Sequence, residues 1–496
     1  MRRVVSIGIV CFWLIMLGLL VRRSWVSLPP PPPPPVEAPG LSREQWMSVY
    51  HEGVKIGYTH VSFTADQDGF SFSDDSLLRL VVMDSPQIVR TRLHGHANAD
   101  WSLRDVELEL SSGAGNLRAT GVVELAGLRL EIHTGGTGAS KQILPVAQPL
   151  YLPSTLQGTL NAKLLQPGNR FEVLVFDPIS LKNDRLALTV QGQEALPGGG
   201  PTPRQAWRVR QEFRGFETTA WMDDDGSLLR EEGPMGMVLV RTSAAEALRQ
   251  DWSDEIAHDL VASAAVPVAR PIDDPRQRMR LRLRLAGIAL DKIPADEEQI
   301  LEGAVLTIER SSVEAITSYD LPCTDTRWRD DLQPTAFVQS DHPRVRDLAR
   351  AIVGTDPDAA RVAVRLNDWV YERLRKVPTI SIPNALQVLQ MGQGDCNEHA
   401  VLLAALGRAA GIPTRMIAGA VYINGAFFYH AWCEMWLGRW VSIDPVLGQF
   451  PADATHIKFV VGGPDEQIAM MHIIGHLGIE VLDDTAEPPG GPALRQ

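Results

Sequence analysis

The period of the hydrophobic residues changes once along this chain, and that change limits what it can fold into. From about Trp46 to Thr242, apolar and polar residues alternate. Val106-Glu107-Leu108-Glu109-Leu110 is the cleanest stretch, with both acids on one face; Val122-Val123-Glu124-Leu125 and Trp207-Arg208-Val209-Arg210 follow it more loosely. A period of two sets neighbouring side chains on opposite faces of a strand, so the region reads as β-structure. Val49 to Tyr58 predicts a hairpin with glycine at its turn, and Gly198 to Pro201 an exposed loop. Asp223-Asp224-Asp225-Gly226 reads as a solvated hairpin turn, because its spacing is not that of a calcium-binding EF-hand loop. From His342 the spacing becomes helical. Val362, Leu366, Trp369, Val370 and Leu374 share one stripe, and Asp356 is placed to cap a helix starting at Pro357. Residues 243–341 mix the two patterns. Ala244 to Trp252 predicts a short helix, and Arg278 to Leu285 a strand with one apolar and one basic face. That basic stripe reads as a solvated face or a charge-guarded edge.

The expected fold class is therefore α+β. A β-rich region over 46–242 and a mixed region over 243–341 precede a core over 342–460. An extension over 461–496 closes the chain, with a Pro- and Gly-rich end from Asp483 expected to fray. A length of 496 residues suits about three domains. The net charge of -13 excludes a general nucleic-acid binder and keeps the chain soluble.

Ahead of these regions, Arg2-Arg3 and Arg22-Arg23 flank an apolar run from Val4 to Val21. At 18 residues it lies at the lower limit for a membrane-spanning helix and exceeds the usual core of a signal peptide. No small-x-small cleavage site follows it. We expect an uncleaved transmembrane signal anchor over 1–23 with the body exported. The balanced arginines themselves do not fix orientation. Residues 24–45 form a linker whose unbroken Pro29–Pro35 run should be a stiff polyproline II spacer.

Chemistry concentrates near the C-terminal end. Of four cysteines, Cys11 lies in the apolar run, which leaves Cys323, Cys396 and Cys433. Three is too few for a disulfide framework and leaves at least one thiol unpaired, although a Cys323–Cys433 bridge stays open. Cys396 follows the turn Gly392-Gln393-Gly394-Asp395 and begins an apolar helix that Gly411 and Pro413 stop near Ala410. A thiol in the first helical turn is expected to have a lowered pKa. Thr414 to Tyr422 predicts a strand, Asn424-Gly425 a tight turn, and Ala426 to Leu437 a second strand carrying His430. A turn at Gly438-Arg439 leads to a third strand ending at Asp444-Pro445, which could set Asp444 beside His430. A thiol, a base and an acid that orients the base make a nucleophilic set. Cys396-x-x-His399 and His430-x-x-Cys433 also have the look of paired zinc ligands. Three residues apart on a strand, however, His430 and Cys433 face opposite ways. His399 is expected to support the site.

Gly394-Asp395-Cys396-Asn397-Glu398-His399-Ala400, Gly411-Ile412-Pro413-x-Arg415, Tyr429-His430-Ala431-Trp432, Trp440-Val441-x-Ile443-Asp444-Pro445 and the tail Ala454-Thr455-His456-Ile457 together resemble the transglutaminase-like superfamily, bacterial members above all. The resemblance covers about residues 342–460. It implies a papain-like α+β core in which Cys396 is the nucleophile, His430 the general base and acid, and Asp444 the residue that orients the imidazole. It implies attack on an amide of a protein or peptide, cell-wall peptide included, through a thioester. The animal enzymes use calcium; no matching acidic site is visible here, and no metal or cofactor is expected. With the anchor, it implies a body held outside the cytoplasm, at a bacterial inner membrane facing the periplasm. Hydrolysis and transamidation need the same three residues. The alternative is a non-catalytic envelope binding or scaffold protein that keeps the fold. The oligomeric state is not legible.

Overall fold

A computed structural model describes residues 42–486, apart from 67, 114, 134–138, 147–148, 157–159, 161–163, 179, 199–203, 215, 250–258, 468–469 and 471–472. The expected anchor, most of the proline linker and most of the Gly198–Pro201 loop lie outside the described residues. Among those described, no helix is long and apolar enough to cross a membrane.

The first strand, Ser42–His51, begins four residues inside the stretch assigned to the linker. It forms the middle of a fourteen-stranded antiparallel sheet, pairing with Val54–Ala65 on one side and Met237–Thr242 on the other. The chain runs outward strand by strand to Ala139–Leu144. It then crosses to the opposite edge at Arg170–Asp177 and returns inward. The crossing segment is apolar and fills the inner face: Leu150, Leu152, Leu156 and Leu165 are buried. Its backbone joins the two halves, with Leu103 N–H donating to Leu150 O at 2.6 Å and Phe176 N–H to Tyr151 O at 2.8 Å. Alternation sets the register throughout. Leu108 pairs with Leu93 and Ala119 inside, while Glu107 and Glu109 face out. The Asp223–Gly226 turn closes as expected, with Gly226 N–H donating to Asp223 O at 3.0 Å.

A second, four-stranded sheet forms where the sequence pattern was mixed. Arg278–Ala286 packs Leu281, Leu283 and Leu285 inward and lies between Val305–Glu309 and Gly478–Ala486. Its basic face is paired: Arg282 meets Asp483 at 2.9 Å, Arg280 meets Glu309 at 3.4 Å, and Arg284 meets Glu480. Residues 483–486, expected to fray, are thus the end of a strand, held because Arg278–Ala286 needs a partner on that edge. The helix expected from Ala244 spans only Ala244–Ala247.

The core packs the helices Pro343–Val353, Ala359–Arg373 and Ala385–Met391 around the helix Cys396–Ala410, which lies on the sheet of Thr414–Ile423, Ala426–Trp436, Trp440–Ile443 and Ile457–Val461. The cap of the second helix is Asp358, not Asp356. Asp358 accepts the Arg361 N–H at 2.9 Å, while Asp356 accepts the Asp358 N–H and pairs with Arg361 and Arg365. The core is α+β. Over the described chain strand exceeds helix, 48% against 19%, so the molecule as a whole is mostly β. Cys323 and Cys433 do not pair; Cys323, Cys396 and Cys433 are all free. The large sheet touches the core close to the cysteine, where Gln87 Nε2 donates to Pro378 O at 3.3 Å.

Candidate active site

Local sequence fixes where the cysteine helix starts. Asp395 accepts the Asn397 N–H at 3.0 Å, and Glu398 accepts the Asp395 N–H at 3.0 Å, a capping box that makes Cys396 the first helical residue. Gly411, at φ +87°, ends the helix in the left-handed conformation that favours glycine. Leu402, Leu403 and Leu406 are fully buried, each stabilising the fold by about 1.5–3 kcal/mol relative to exposure. Glu398 does more than cap. Its buried carboxylate accepts hydrogen bonds from Thr379 Oγ1 at 3.0 Å and from Ser381 Oγ, tying an extended segment to the helix start. A side chain at Gly394 would set its Cβ 2.2 Å from that of Glu398, so only glycine fits there.

His430 sits opposite Gly419 in the strand Ala426–Trp436. On the strand's other edge, Val266–Pro267 pairs with residues 426–427 and Trp440–Ile443 with residues 433–436. Between these pairings, among the described residues, Phe428 to Trp432 carry no strand on that edge. The backbone N–H of Ala431, next to His430, acts on the Cys396 thiol and lowers its pKa. His430 Nε2 lies 2.8 Å from Asp444 Oδ2. The carboxylate therefore takes the Nε2–H, and the tautomer assigned from this bond leaves the Nδ1 lone pair free. Asp444 is fixed in turn: Oδ1 accepts the N–H groups of Val446 at 2.7 Å and Leu447 at 2.9 Å. Burial alone would raise its carboxyl; His430 and His456 outweigh burial and hold it far below the carboxylate range.

Cys396 departs from expectation. Burial, then the Asp395 carboxyl, push its thiol well above the ordinary value, and the Ala431 N–H only partly opposes them. The acid that caps the helix already occupies the positive end that was expected to favour a thiolate. Burial and the Asp395 carboxyl both favour the protonated thiol. Asp395 itself is raised by burial and by Glu398.

His399 Nδ1–H donates to Asp395 O at 2.6 Å, so it braces the helix start. Cys433 points into the helix, its thiol donating to Ala400 O at 3.2 Å, away from His430. The two paired spacings therefore do not converge on one ion. Instead, ligand atoms of His430, Asp444 and His456 lie within 4.8 Å of one another. Both rings contact Asp444 Oδ2, at 2.8 and 3.0 Å. These are hydrogen-bond separations, and a zinc ion at about 2.0–2.2 Å from each ligand would have to part them.

Residues 346–445 match the family model described as the transglutaminase-like superfamily. The core of this chain is transglutaminase-like. The match spans Cys396, His430 and Asp444 and stops short of His456. The solved structures similar to the chain include the following three. A candidate cysteine protease from Cytophaga hutchinsonii is 15% identical, covering 42% of this chain and 87% of that one, with a TM-score of 0.29. A beta-barrel-like protein of a domain of unknown function, from Brucella abortus, is 12% identical over 42% of this chain and 98% of that one, with a TM-score of 0.32. A candidate protease from Parabacteroides distasonis is 10% identical over 66% and 63%, with a TM-score of 0.19. No curated protein matches.

Sequence reasoning gave no role to Glu398 or Asp453 and quoted His456 only as part of a tail. Asp395-x-x-Glu398 is legible as a capping box. Nothing in the sequence says that His456 reaches Asp444.

Proposed function

We propose that this chain is a thiol enzyme that cleaves amide bonds of proteins or peptides through a thioester on Cys396. The observation that carries this reading is the His430–Asp444 bond, which leaves Nδ1 as the base on the residue next to Ala431, whose backbone N–H acts on the Cys396 thiol at the helix start. Because burial favours the protonated thiol, sulfur attack and proton transfer to His430 Nδ1 go together. The new S–C bond breaks the carbonyl π-bond. The oxyanion takes the Cys396 backbone N–H at the helix N-terminus. Collapse breaks the C–N bond, and the amine leaves with the proton held by His430. Water, activated by the same imidazole, then releases an acid, or an amine releases a new amide. Hydrolysis is the primary reading, since water is always present and no amine site is evident among the described residues. The residue 4–21 segment would anchor the enzyme with its body outside the cytoplasm, which makes cell-wall peptide one substrate class to try.

The test is alkylation of Cys396 by iodoacetamide in the full chain at about pH 7, with labelled peptides mapped to separate Cys323 and Cys433. His430→Ala should slow Cys396 labelling about tenfold or more. Equal rates in a folded variant would sink the catalytic reading. Peptide substrates with and without an amine donor then separate hydrolysis from transamidation.

A further inference from the structure

His456 lies beyond the segment that matches the family model, yet its ring completes the site. Nε2 is 3.0 Å from Asp444 Oδ2, the oxygen that also receives His430. Nδ1 is 3.1 Å from Asp453 O and 3.2 Å from Asp453 Oδ1. Both ring nitrogens therefore face acceptors only. A neutral ring would turn one bare lone pair toward an oxygen, whereas an imidazolium donates at both ends. The side chain is 2% exposed, and both nitrogens already lie within hydrogen-bond distance of protein oxygens.

Asp453 is built to hold it. Oδ1 also accepts Thr455 N–H at 2.9 Å and Thr455 Oγ1 at 2.6 Å, and Oδ2 accepts Gln449 Nε2 at 2.8 Å. Gln449 exchanges backbone hydrogen bonds with Asp444 at 3.0 Å each way, so one loop fixes both carboxylates that clamp the ring. The edge of Trp432 packs against the ring at 5.2 Å between centroids. Glu298, Ser442, Asp453 and Lys458 line a cavity of about 10 Å³ beside it.

We infer that His456 is a positioning residue: a fixed imidazolium that, with Asp453, pins Asp444 Oδ2 as the acceptor for His430. This rests on the reading of Cys396, His430 and Asp444 as the reacting set. The role follows from geometry. Asp444 Oδ1 is committed to two backbone N–H groups, and Oδ2 alone steers His430. A second donor on Oδ2 stops the carboxylate from rotating and balances its buried charge. Its protonation agrees: burial would lower the His456 pKa, but Asp453, then Asp444, raise it to about 10.

The test has two arms on the full chain. Histidine-selective ¹⁵N NMR of the unmodified protein should show one ring with both nitrogens protonated from about pH 6 to about pH 9. The charged groups facing that ring are Asp444, Asp453 and His430, with Glu298, Glu309, Arg310 and Lys458 around the cavity behind it. Loss of the signal in His456→Gln assigns it to His456. A neutral His456 at about pH 8 would overturn the inference, as would stoichiometric zinc retained by the purified chain. In the second arm, His456→Ala should slow Cys396 alkylation about tenfold, while His456→Gln, which keeps an N–H donor for Asp444, should recover most of the rate. Equal slowing by both folded variants would assign the residue a packing role only and overturn the inference, as would no slowing by either. If His430→Ala labels as fast as the unmodified chain, the catalytic reading falls and takes this one with it. If His430→Ala is slow and His456→Ala is not, only the inference falls.

Discussion

On the outer face of the fourteen-stranded sheet, Arg118 reaches Glu107 and Glu109 while 56% of its side chain stays exposed, and Arg92 reaches Glu109 at 3.7 Å with 52% exposed. In the core, Lys458 meets Glu434 and Asp296 with only 3% of its side chain exposed, and Glu434, fully buried, also takes Arg415 at 2.6 Å. The sheet's charges compete with water and can exchange partners. Lys458 and Glu434 have almost no water to fall back on, so each depends on its neighbours. Gln299 shows how far this goes. Its side-chain amide bonds both backbone groups of Lys458, at 2.8 Å each, and so joins the four-stranded sheet to the core just behind the active site.

The sharpest way to break this contrast is to remove one buried partner. Lys458→Met leaves the Glu434 and Asp296 carboxylates to share Arg415 and should cost about 3 kcal/mol, read as a lower urea midpoint of the core transition. Glu398→Ala comes next. It strands the hydroxyls of Thr379 and Ser381 and the N–H of Asp395, and should cost about 2–3 kcal/mol while slowing Cys396 labelling; Glu398→Gln should do less of both.

A third, graded effect separates the regions by pH. The sheet's inner face carries Asp74, raised to about 6, and Glu231, raised to about 7, both mainly by burial. A raised acid favours the folded state while protonated, so its contribution is full below the ordinary carboxyl pKa and is lost as pH climbs through these values. In the core the signs are mixed: Asp395 is raised by burial and by Glu398, while the pair beside Asp444 runs the other way. Asp453, lowered to about 2 with His456 and Thr455 outweighing burial, stabilises above its ordinary pKa and stops only as pH falls through about 2. His456 contributes fully below its ordinary pKa and loses that contribution as pH rises through about 10. Between about pH 4 and pH 7 the sheet should therefore loosen while these two core groups hold steady. Hydrogen exchange corrected for intrinsic rate, read at the strands that carry Asp74 and Glu231 and at the loop from Asp453 to His456, checks this; equal loosening of both would refute it. The smallest effect belongs to the exposed pairs: Arg282→Ala should change stability by about 0–1 kcal/mol in the same urea titration.

Much of this was legible in the sequence because the signals are local. The period of two placed Leu103–Ser112 and Gln205–Phe213 as strands, and Asn424-Gly425 marked the hairpin between Thr414–Ile423 and Ala426–Trp436. The turn Gly392-Gln393-Gly394-Asp395 together with Gly411 and Pro413 bounded the cysteine helix. Alternation along 426–436 put Cys433 and His430 on opposite faces, and they are. Where local reading failed, a distant partner intervened. Asp356 looked like the cap, but Arg361 and Arg365 engage its carboxylate. Residues 483–486 looked like a frayed end, but Arg278–Ala286 offers them an open edge. The Cys396 thiol was expected to have a lowered pKa, because a helix dipole can be read from sequence and burial cannot.

By itself, then, the sequence determined the elements and their faces, together with the order Cys396, His430, Asp444. Hydrogen-bond periodicity and turn preferences act over a few residues, so they are written in the chain. Only the tertiary structure decided that Asp444 serves two histidines, that Asp453 clamps the second, and that Glu398 holds the segment before the cysteine. Those outcomes depend on which groups lose water together, and desolvation is a property of the assembled interior rather than of any stretch of sequence.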